Sequence, residues 1–391
     1  MKKTIFILII IAFIGSVAKA QVKTSSSDTS AANTIVLGRG AGFLIIDGAN
    51  NTYPPGTRII VKPGIYTNGL IVQNLKDVTI CGKDVTIDGL SQTEEGFNSC
   101  LNISKLTNVT ITGFTTQNNG YRMLNINSRM VNVTLDSLSF INCNQGIYVN
   151  NNNKLIWDGT DATVNLLNFK ITNSEFINCG TNDLNGGIEK GYVFNLVKNL
   201  VVSNNIFSGG NPGNLIACRA VDGFKIFHNT IDGINPINND DNRLMMMTGN
   251  GDAYENKFTN YEGHAIAVWP VSFGKVVKTS HFYNNTCIGA RRYAAFEFQE
   301  FREYAIRGVT TKSDLIVNNN TCGDINTDHW TDYPGTFIDN YQFGYMGGKV
   351  TLTNNKGYNF FPAPTNNVYW NLAKPAVVYG NIYDYTRKSK D

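Results

Sequence analysis

The string LVVSNNIF at residues 200–207 is the first of seven related strings in the second half of the chain. The others are FKIFHNTI (224–231), DAYENKF (252–258), SHFYNNTC (280–287), LIVNNNTC (315–322), VTLTNNKG (350–357) and AVVYGNIY (376–383). Each joins two β-rich runs through one asparagine: Asn205, Asn229, Asn256, Asn285, Asn320, Asn355 and Asn381. Successive asparagines are 24, 27, 29, 35, 35 and 26 residues apart. A period of this size indicates a solenoid, a propeller or another repeat array.

The residue types favour a parallel β-helix among these repeat folds. Asparagine tolerates the left-handed backbone region better than other non-glycine residues, so we expect each shared asparagine to turn a corner between two strands. Corners stacked coil upon coil would align the asparagine side chains as a hydrogen-bonded ladder. The variable spacing suits a solenoid with loops of different length, whereas a propeller needs blades of nearly constant length.

The N-terminal third continues the pattern. The segment IIVKPGIYTNGLIVQNLKDVTICGKDVTIDG (Ile59–Gly89) contains short alternating strands with glycines between them, and NVTITGF (Asn108–Phe114) and two FINC strings at Phe140 and Phe176 extend it. With these motifs the chain resembles the pectin-lyase-like superfamily over roughly Ile35 to Tyr385. The resemblance implies an all-β fold, a single right-handed parallel β-helix with loops of variable length, and a carbohydrate-active protein.

The N-terminus has the features of a signal peptide. Lys2 and Lys3 precede the apolar stretch Thr4–Ile14, and residues 18–20 (Ala-Lys-Ala) supply a small-x-small cleavage pattern. The apolar stretch is shorter than the roughly 20 residues that span a bilayer, and no later stretch is longer and as apolar. We expect residues 1–20 to be a signal peptide, 21–34 a polar leader and 35–391 the β-helix domain of an exported protein, periplasmic or secreted.

The charge balance bears on the expected partners. The chain has 33 basic and 30 acidic residues, and removal of Lys2, Lys3 and Lys19 with the signal peptide would make the two numbers equal. Nucleic acids and anionic membranes are bound through a basic surface, so neither is expected as a partner. We expect a monomer that binds a polysaccharide.

The seven cysteines do not predict a disulfide framework or a zinc site. Their number is odd, and they are spread along most of the domain without a CxxC pair. We expect most of them to be buried thiols that pack as small hydrophobic side chains.

A candidate binding face follows from aligning the strands that precede long loops. Side chains alternate between two faces with period two, so placing aliphatic and cysteine residues inward predicts which positions point outward. The outward positions include Asn125, Tyr148, Asn195, Arg219, Arg243, Trp269, Glu297, Gln299 and Asp339, and His264 lies at a strand end that can aim it at the same face. Four consecutive coils contribute residues from Arg219 to Glu297, which predicts a charged and aromatic strip ~15 Å long. Tryptophan stacks on sugar rings, and arginine binds carboxylate or sulfate groups through two hydrogen bonds.

Lysis of an acidic polysaccharide is the first reaction that suits this strip. A cation or Ca²⁺ neutralises a uronate carboxylate, and a base removes the adjacent proton. Lyases of the superfamily that this chain resembles often use lysine or arginine as the base. Arginine is hard to deprotonate, so His264 or Lys190 is the expected base here, with Arg219 and Arg243 as carboxylate clamps. The expected catalytic residues are Arg219, Arg243, His264 and Glu297, and the expected substrate-binding residues are Tyr148, Asn195, Trp269, Gln299 and Lys190.

Glycoside hydrolysis and glycan binding without catalysis are the alternatives. Hydrolysis requires two carboxyl groups, and the available acids are Asp240, Asp241, Asp252 and Glu297. The strings NNDDN (238–242) and GHAI (263–266) resemble two elements of polygalacturonases, although Ala265 replaces a glycine and the Arg-x-Lys element of that family is missing. The three aspartates could bind Ca²⁺ through oxygen ligands, and no other cofactor or metal is predicted.

Overall fold

The computed structural model describes residues 33–67, 69–89, 101–119, 122–126, 128–149, 157, 159–180, 192–237, 242–299, 310–332, 335–339, 348–361 and 377–384. The predicted signal peptide and most of the predicted leader lie outside these ranges. So do three candidate residues named above, Lys190, Asp240 and Asp241, and one of the seven cysteines, Cys100.

Strands make up nearly all the regular structure of these ranges. The first fifteen are β1 Thr34–Leu37, β2 Leu44–Asp47, β3 Thr57–Val61, β4 Gly64–Thr67, β5 Leu70–Asp88, β6 Leu101–Gln117, β7 Arg122–Ile126, β8 Met130–Asp136, β9 Ser139–Ile141, β10 Gln145–Val149, β11 Leu166–Thr172, β12 Glu175–Ile177, β13 Tyr192–Ser203, β14 Ile206–Ser208 and β15 Ile216–Phe227. The others are β16 Thr230–Asp232, β17 Arg243–Tyr254, β18 Lys257–Tyr261, β19 His264–Phe273, β20 Thr279–Tyr283, β21 Thr286–Ala290, β22 Phe296–Phe298, β23 Thr310–Lys312, β24 Asp314–Asn318, β25 Thr321–Ile325, β26 Ile338–Asp339, β27 Val350–Thr353, β28 Lys356–Phe360, β29 Val377–Tyr379 and β30 Ile382–Asp384. One turn of 3₁₀ helix covers Asp161–Thr163, and none of the described helical structure is long and apolar enough to cross a membrane.

Apart from β23, which pairs antiparallel with the end of β19, the strands pair in parallel from coil to coil and form three sheets. Sheet 1 contains β2, the beginnings of β5 and β6, then β7, β10, the beginnings of β13, β15, β17 and β19, and finally β22 and β26. Sheet 2 contains β1, β3, the middles of β5 and β6, then β8, β11, the ends of β13, β15 and β17, and finally β20, β24, β27 and β29. Sheet 3 contains β9, β12, β14, β16, β18, β21, β25, β28 and β30. The predicted right-handed parallel β-helix is thus confirmed, and right-handed connections are the rule for parallel strands.

The predicted asparagine ladder lies at the corner between sheets 2 and 3. The side chain of Asn285 shows how each rung is made: its Nδ2 donates to Asn320 Oδ1 (3.0 Å) and to the carbonyl oxygen of Ala253 (2.9 Å). Its Oδ1 accepts from the backbone nitrogen and the Nδ2 of Asn256. Equivalent bonds of 2.8–3.0 Å link all seven asparagines from Asn205 to Asn381. These bonds use the donor and acceptor atoms of side chains that would otherwise be buried without partners.

The prediction that the ladder asparagines themselves adopt the left-handed conformation is wrong. The residue with positive φ is the one before each of them: Asn204, His228, Glu255, Asn284, Asn319, Asn354 and Gly380, with φ between 54° and 68°. The corner therefore divides two tasks between neighbours. The first residue turns the backbone, and the second directs its amide into the helix.

A second asparagine ladder, which the sequence analysis missed, lies on the outside at the start of sheet 2. It runs through Asp77, Asn108, Asn132, Asn168 and Asn199, with side-chain hydrogen bonds of 2.6–2.8 Å between neighbours. Here the ladder residues do have positive φ, between 53° and 58°. The signal was visible as an Asp or Asn before the apolar runs VTI, VTL, FKI and LVV.

Aliphatic, aromatic and cysteine side chains fill the interior. Phe140, Phe176 and Phe207 stack on successive coils with ring centroids 5.0 and 4.7 Å apart, which explains the repeated FINC strings. The six cysteines within the described ranges are free and buried, as predicted for most of the seven.

Candidate active site

The outer surface of sheet 1 carries the candidate site. Its register aligns one outward row through Asn102, Asn125, Tyr148, Val193, Ala217, Met246, Ala267, Glu297 and Asp339. The predicted outward positions Asn125, Tyr148, Glu297 and Asp339 therefore do share one row. The polar residues of interest cluster at its C-terminal end, on β17, β19, β22 and β26.

Glu297 is the centre of this cluster. It is 2% exposed, and Arg243 binds it through two hydrogen bonds, Nε to Oε2 at 2.5 Å and an Nη2 to Oε1 bond at 3.0 Å. Gln299 also donates from Nε2 to Glu297 Oε1. A carboxylate buried in this way requires charged and polar partners, and the two-bond geometry fixes the plane of the guanidinium.

His264 lies beside the same carboxylate. Its Nδ1 is 3.9 Å from Glu297 Oε2, and its Nε2 is 3.7 Å from Asp339 Oδ2. The ring is 1% exposed and packs against Tyr293, with ring centroids 5.1 Å apart. A protonated imidazole in this place would form an ion pair with both carboxylates.

The backbone that leads into β19 positions His264. Gly263 has a φ of 95° and lies so close to the preceding coil that an added Cβ would be 2.3 Å from the carbonyl oxygen of Asn242. The same carbonyl accepts a hydrogen bond of 2.8 Å from the backbone nitrogen of His264. The turn therefore requires glycine, and its tightness places the imidazole against sheet 1.

Arg243 reaches the outer surface although strict alternation does not place it there. It pairs with His264 and lies two residues before Met245, which faces the core. The alternation fails at this end of the strands because the next residues, Leu244 and Ala265, are also buried in the core. The predicted location of Arg243 is right, but the period-two argument for it is wrong.

Trp269 extends the cluster toward the C-terminal ends of the sheet 1 strands, which we call the downstream edge of sheet 1. It is half-buried, and the Cζ atom of Arg243 lies 5.9 Å from the centroid of its ring. This distance is within the range of a cation–π contact. Arg243 is therefore held between a carboxylate and an aromatic ring.

Two predicted residues lie at β-bulges beside the cluster. Cys218 pairs with Met247 and Val221 with Gly249, so Arg219 and Ala220 together oppose Thr248, the neighbour of Trp269. Arg219 is half-buried in this bulge, two coils or about 10 Å from the coil of Trp269. Asn195 is 5% exposed in a bulge of β13, and its substrate-binding role stays a prediction. Tyr148 pairs with Asn125 and Val193, but its side chain, like all of Lys190, is outside the description.

Sequence reasoning missed Glu262, the residue before Gly263. It is fully buried, Asn242 Nδ2 donates to its Oε2 at 2.5 Å, and its Oε1 accepts no hydrogen bond from a described residue. Burial raises the pKa of this carboxyl to about 8, opposed by the hydrogen bond from Asn242 and by the charges of His264, Arg291 and Arg292. Glu262 lies in a turn, where the period-two pattern carries no information.

Metal binding remains open. Within the described ranges no group of three or more His, Cys, Asp and Glu side chains is arranged to hold a metal ion. Two of the three aspartates suggested as Ca²⁺ ligands are outside those ranges. The Ca²⁺ suggestion therefore stays a prediction.

Chemically, the cluster combines a fixed cation, an imidazole, two carboxylates and an indole ring. Proton transfer and recognition of an anionic sugar both use these groups. The arrangement does not by itself select one reaction.

Neither a protein-family profile nor a curated protein matches the sequence of this chain. Among solved structures, the chain is similar to the A-module of mannuronan C-5 epimerase AlgE6 of Azotobacter vinelandii, with 12% identity, a TM-score of 0.49 and coverage of 91% of this chain and 92% of that one. It is similar to an alginate lyase of Paenibacillus sp. FPU-7 (15% identity, TM-score 0.40, coverage 71% and 95%). It is also similar to the surface protein and adhesin PfbA of Streptococcus pneumoniae (13% identity, TM-score 0.35, coverage 89% and 92%).

These likenesses concern the fold alone, because an epimerase, a lyase and an adhesin are all among them. The strand pairings described above establish the same architecture independently. The chain is a right-handed parallel β-helix, the fold that the resemblance to the pectin-lyase-like superfamily implied.

Proposed function

We propose that the chain is an exported, carbohydrate-active protein that cleaves an acidic polysaccharide by β-elimination on the outer face of sheet 1. One observation carries the proposal: Arg243 is fixed between Glu297 and the ring of Trp269, with His264 and Asp339 beside it. A cation whose direction is set before binding suits a carboxylate carried by a sugar that stacks on the adjacent indole.

In this mechanism Arg243, together with Arg219, neutralises the uronate carboxylate and so makes the adjacent C–H proton acidic. The base removes that proton, the electron pair forms a double bond, and the glycosidic oxygen leaves and takes up a proton. Because the His264 ring is 1% exposed, we assign proton exchange with the sugar to Asp339 and place His264 behind it as its partner. Proton transfer by a positioned group contributes typically about 10²–10⁴-fold in rate.

Incubation with pectate, alginate and glycosaminoglycans tests the proposal. We expect a rise in the ultraviolet absorbance of unsaturated uronate products with at least one of these polymers. The variant Arg243→Ala should lose most of the rate, whereas Arg58→Ala, which removes an exposed arginine from β3, should retain it. Binding of an acidic glycan without any product would refute the lyase assignment and leave a binding protein.

Glycoside hydrolysis is the second candidate, favoured by a different observation. Glu297 and Asp339 are in register on adjacent strands, and both lie within 4 Å of His264, so two carboxyl groups share one site. Release of saturated sugars, with no rise in absorbance, would select this candidate over the lyase.

A further inference from the structure

A second arginine–tryptophan pair lies near the N-terminal ends of the sheet 1 strands, which we call the upstream edge of sheet 1. The proposed reaction does not use this pair. Arg292 has its Cζ atom 5.0 Å from the ring centroid of Trp330. Asp328 Oδ2 is 2.8 Å from an Nη2 atom of Arg291 and 3.7 Å from Nε of Arg292. The sequence analysis did not single out any of these residues as part of a site.

The loop that carries Trp330 is held in place by a buried asparagine. Asn326 is fully buried with a φ of 65°, and its side chain bonds the backbone of Trp330 twice, accepting from N at 2.9 Å and donating to O at 2.7 Å. It also donates to the carbonyl oxygen of Phe361 at 2.9 Å. The position of the indole is therefore determined by the fold and needs little ordering when a ligand binds.

An aromatic path connects this pair to the candidate active site. The rings of Trp330 and Tyr293 meet edge to face at 4.9 Å, and Tyr293 packs against His264 at 5.1 Å. Tyr293 and Trp330 come from the turns before β22 and β26, whereas Trp269 lies five residues after His264 on β19. The two tryptophans thus lie at opposite edges of sheet 1, with His264 between their positions.

Both edges combine an arginine, a tryptophan and an acidic side chain. At the downstream edge an arginine contacts a tryptophan and a carboxylate, as Arg243 does with Trp269 and Glu297. At the upstream edge Arg292 lies over the ring of Trp330, and its Nε is 3.7 Å from Asp328 Oδ2, an ion-pair distance and not a hydrogen bond. The side chains of Arg291, Arg292 and Asp328 are 27%, 21% and 32% exposed, so a ligand can reach them.

Two arginines lie next to each other at the upstream edge. Among the described residues, Asp328 forms ion pairs with both Arg291 and Arg292. Burial raises the pKa of the nearby Glu262 carboxyl to about 8, which favours its neutral form. His264 is the other titratable group that faces Glu262.

We propose that Arg292 and Trp330, supported by Arg291 and Asp328, form a second subsite that binds a sugar unit carrying an anionic oxyacid group, either a carboxylate or a sulfate. The inference rests on the proposed function in one respect, namely that an acidic glycan lies across sheet 1. A chain long enough to cross the sheet would meet an arginine–tryptophan pair on each side of the active site.

Binding measurements with oligosaccharides of two lengths test the subsite, independently of cleavage. The probes are short and long oligomers of polygalacturonate and of chondroitin sulfate, with methyl-esterified pectin as the uncharged comparison. The variants are Trp330→Ala and Arg292→Ala, with Trp330→Phe retaining a ring and Arg58→Ala as an arginine control far from the site. Circular dichroism and thermal unfolding check that each variant is folded.

We expect Trp330→Ala and Arg292→Ala to raise the dissociation constant of long acidic oligomers roughly tenfold and to leave that of short ones unchanged. Trp330→Phe should be affected less, and the two probe families distinguish carboxylate from sulfate. Equal weakening of short and long oligomers, no weakening at all, or no binding of acidic glycans by the wild type would each overturn the subsite. If the wild type binds these glycans without forming unsaturated product, the proposed reaction fails while the subsite is still decided by the binding data.

Discussion

Glu262 shows how strongly burial alone can alter one residue of this fold. Its carboxyl is removed from water at a turn, with one hydrogen bond from Asn242 to its Oε2. Burial penalises the charged form and raises the pKa to about 8, from an ordinary value of 4.5. The neutral acid is thus favoured between pH 4.5 and about 8, where ordinary carboxyl groups are ionised.

The first prediction concerns the pH dependence of stability. Between pH 4.5 and 8 the native chain holds the Glu262 proton, whereas the unfolded chain has released it, so the free energy of unfolding falls as pH rises through this window. Glu262→Gln keeps the shape and the acceptor for Asn242 but cannot ionise. The free energy of unfolding of the variant, minus that of wild type, should increase by up to about 4 kcal/mol when the pH is raised from 5 to 8. Denaturant unfolding at both pH values measures this change. An equal difference at both pH values would contradict the assignment.

The second prediction concerns the ion pair between Arg243 and Glu297 and compares the stability lost when each partner is replaced. Arg243→Ala leaves a carboxylate that is 2% exposed without its cation and should destabilise the chain by about 3 kcal/mol. Glu297→Gln leaves an arginine whose side chain is 19% exposed, which water can solvate, and should cost less. Adding Glu297→Gln to Arg243→Ala should therefore restore part of the lost stability. Additive losses in the double variant, measured by denaturant unfolding, would show that the two side chains are not coupled.

The candidate residues that could be predicted are those on regular strands. The register of β19, β22 and β26 places Glu297 and Asp339 in the outward row without a bulge, and period-two alignment found them. Glu262, Tyr293, Asp328 and Trp330 were missed because they lie in turns. Their proximity depends on how each turn folds over the sheet edge, which the hydrophobic pattern does not encode.

At the scale of the strand and its corner, two neighbouring asparagines have different tasks. Asn284 adopts a φ of 55° and turns the chain. Asn285 is 1% exposed and forms the ladder bonds to Asn256 and Asn320. The same residue type is therefore selected for backbone conformation at one position and for its buried amide at the next.

The third prediction separates these tasks with matched substitutions. Asn284→Gly should be nearly neutral, because glycine adopts positive φ without steric strain. Asn285→Gly should cost about 2–4 kcal/mol, because it leaves the Ala253 carbonyl and the Asn256 nitrogen buried without their partners. The two variants differ by one position and carry the same new residue, so unfolding free energies compare them directly. Equal losses would indicate that the ladder bonds contribute nothing specific.

Bulges explain why the sequence predicts the side-chain orientation around Arg219 less accurately than that around Glu297. A bulge in β13 between Phe194 and Val197 and another in β15 between Cys218 and Val221 each shift the pairing of the following residues. A period-two alignment assumes that every residue has one partner, so it cannot represent such a site. A second, smaller hydrophobic cluster includes Leu196 and Ala220 from these bulges and Trp157 packed on Phe273, and it was accordingly not expected.

At the scale of the whole molecule, the two ends of the described solenoid differ from its middle. Within the described ranges β29 and β30 each pair with one neighbour, whereas β20 and β21 pair on both sides. At the C-terminal end, Tyr379 and Ile382 are 62% and 60% exposed. In a fold where each coil contacts only its neighbours, such a coil gains about half the interface of an inner one.

The fourth prediction follows from this arrangement and uses amide hydrogen exchange. Amides of β29 and β30 should exchange at least roughly a hundredfold faster than those of β20 and β21, because the end coil can open without unfolding the rest. Mass spectrometry of peptides that cover these strands measures the difference. Uniform protection along the chain would mean that the solenoid opens as one unit.

The fold itself was predictable because its signal repeats. Each of the seven coils with a ladder asparagine shows the same sequence of apolar run, asparagine and apolar run, so an error in one of these coils is corrected by the next. The site occurs once and has no such redundancy. Its residues are recognisable only where they lie on strands that follow the repeat.

The asparagine ladder keeps bonds of 2.8–3.0 Å whether 24 or 35 residues separate its members. The loops between coils can therefore lengthen or shorten during evolution without disturbing the scaffold that orients the strands. A protein engineer can use the same tolerance, since a segment grafted between two rungs would enter a frame whose alignment is set elsewhere. New ligand preferences can in this way be acquired by exchanging loops while the coils stay as they are.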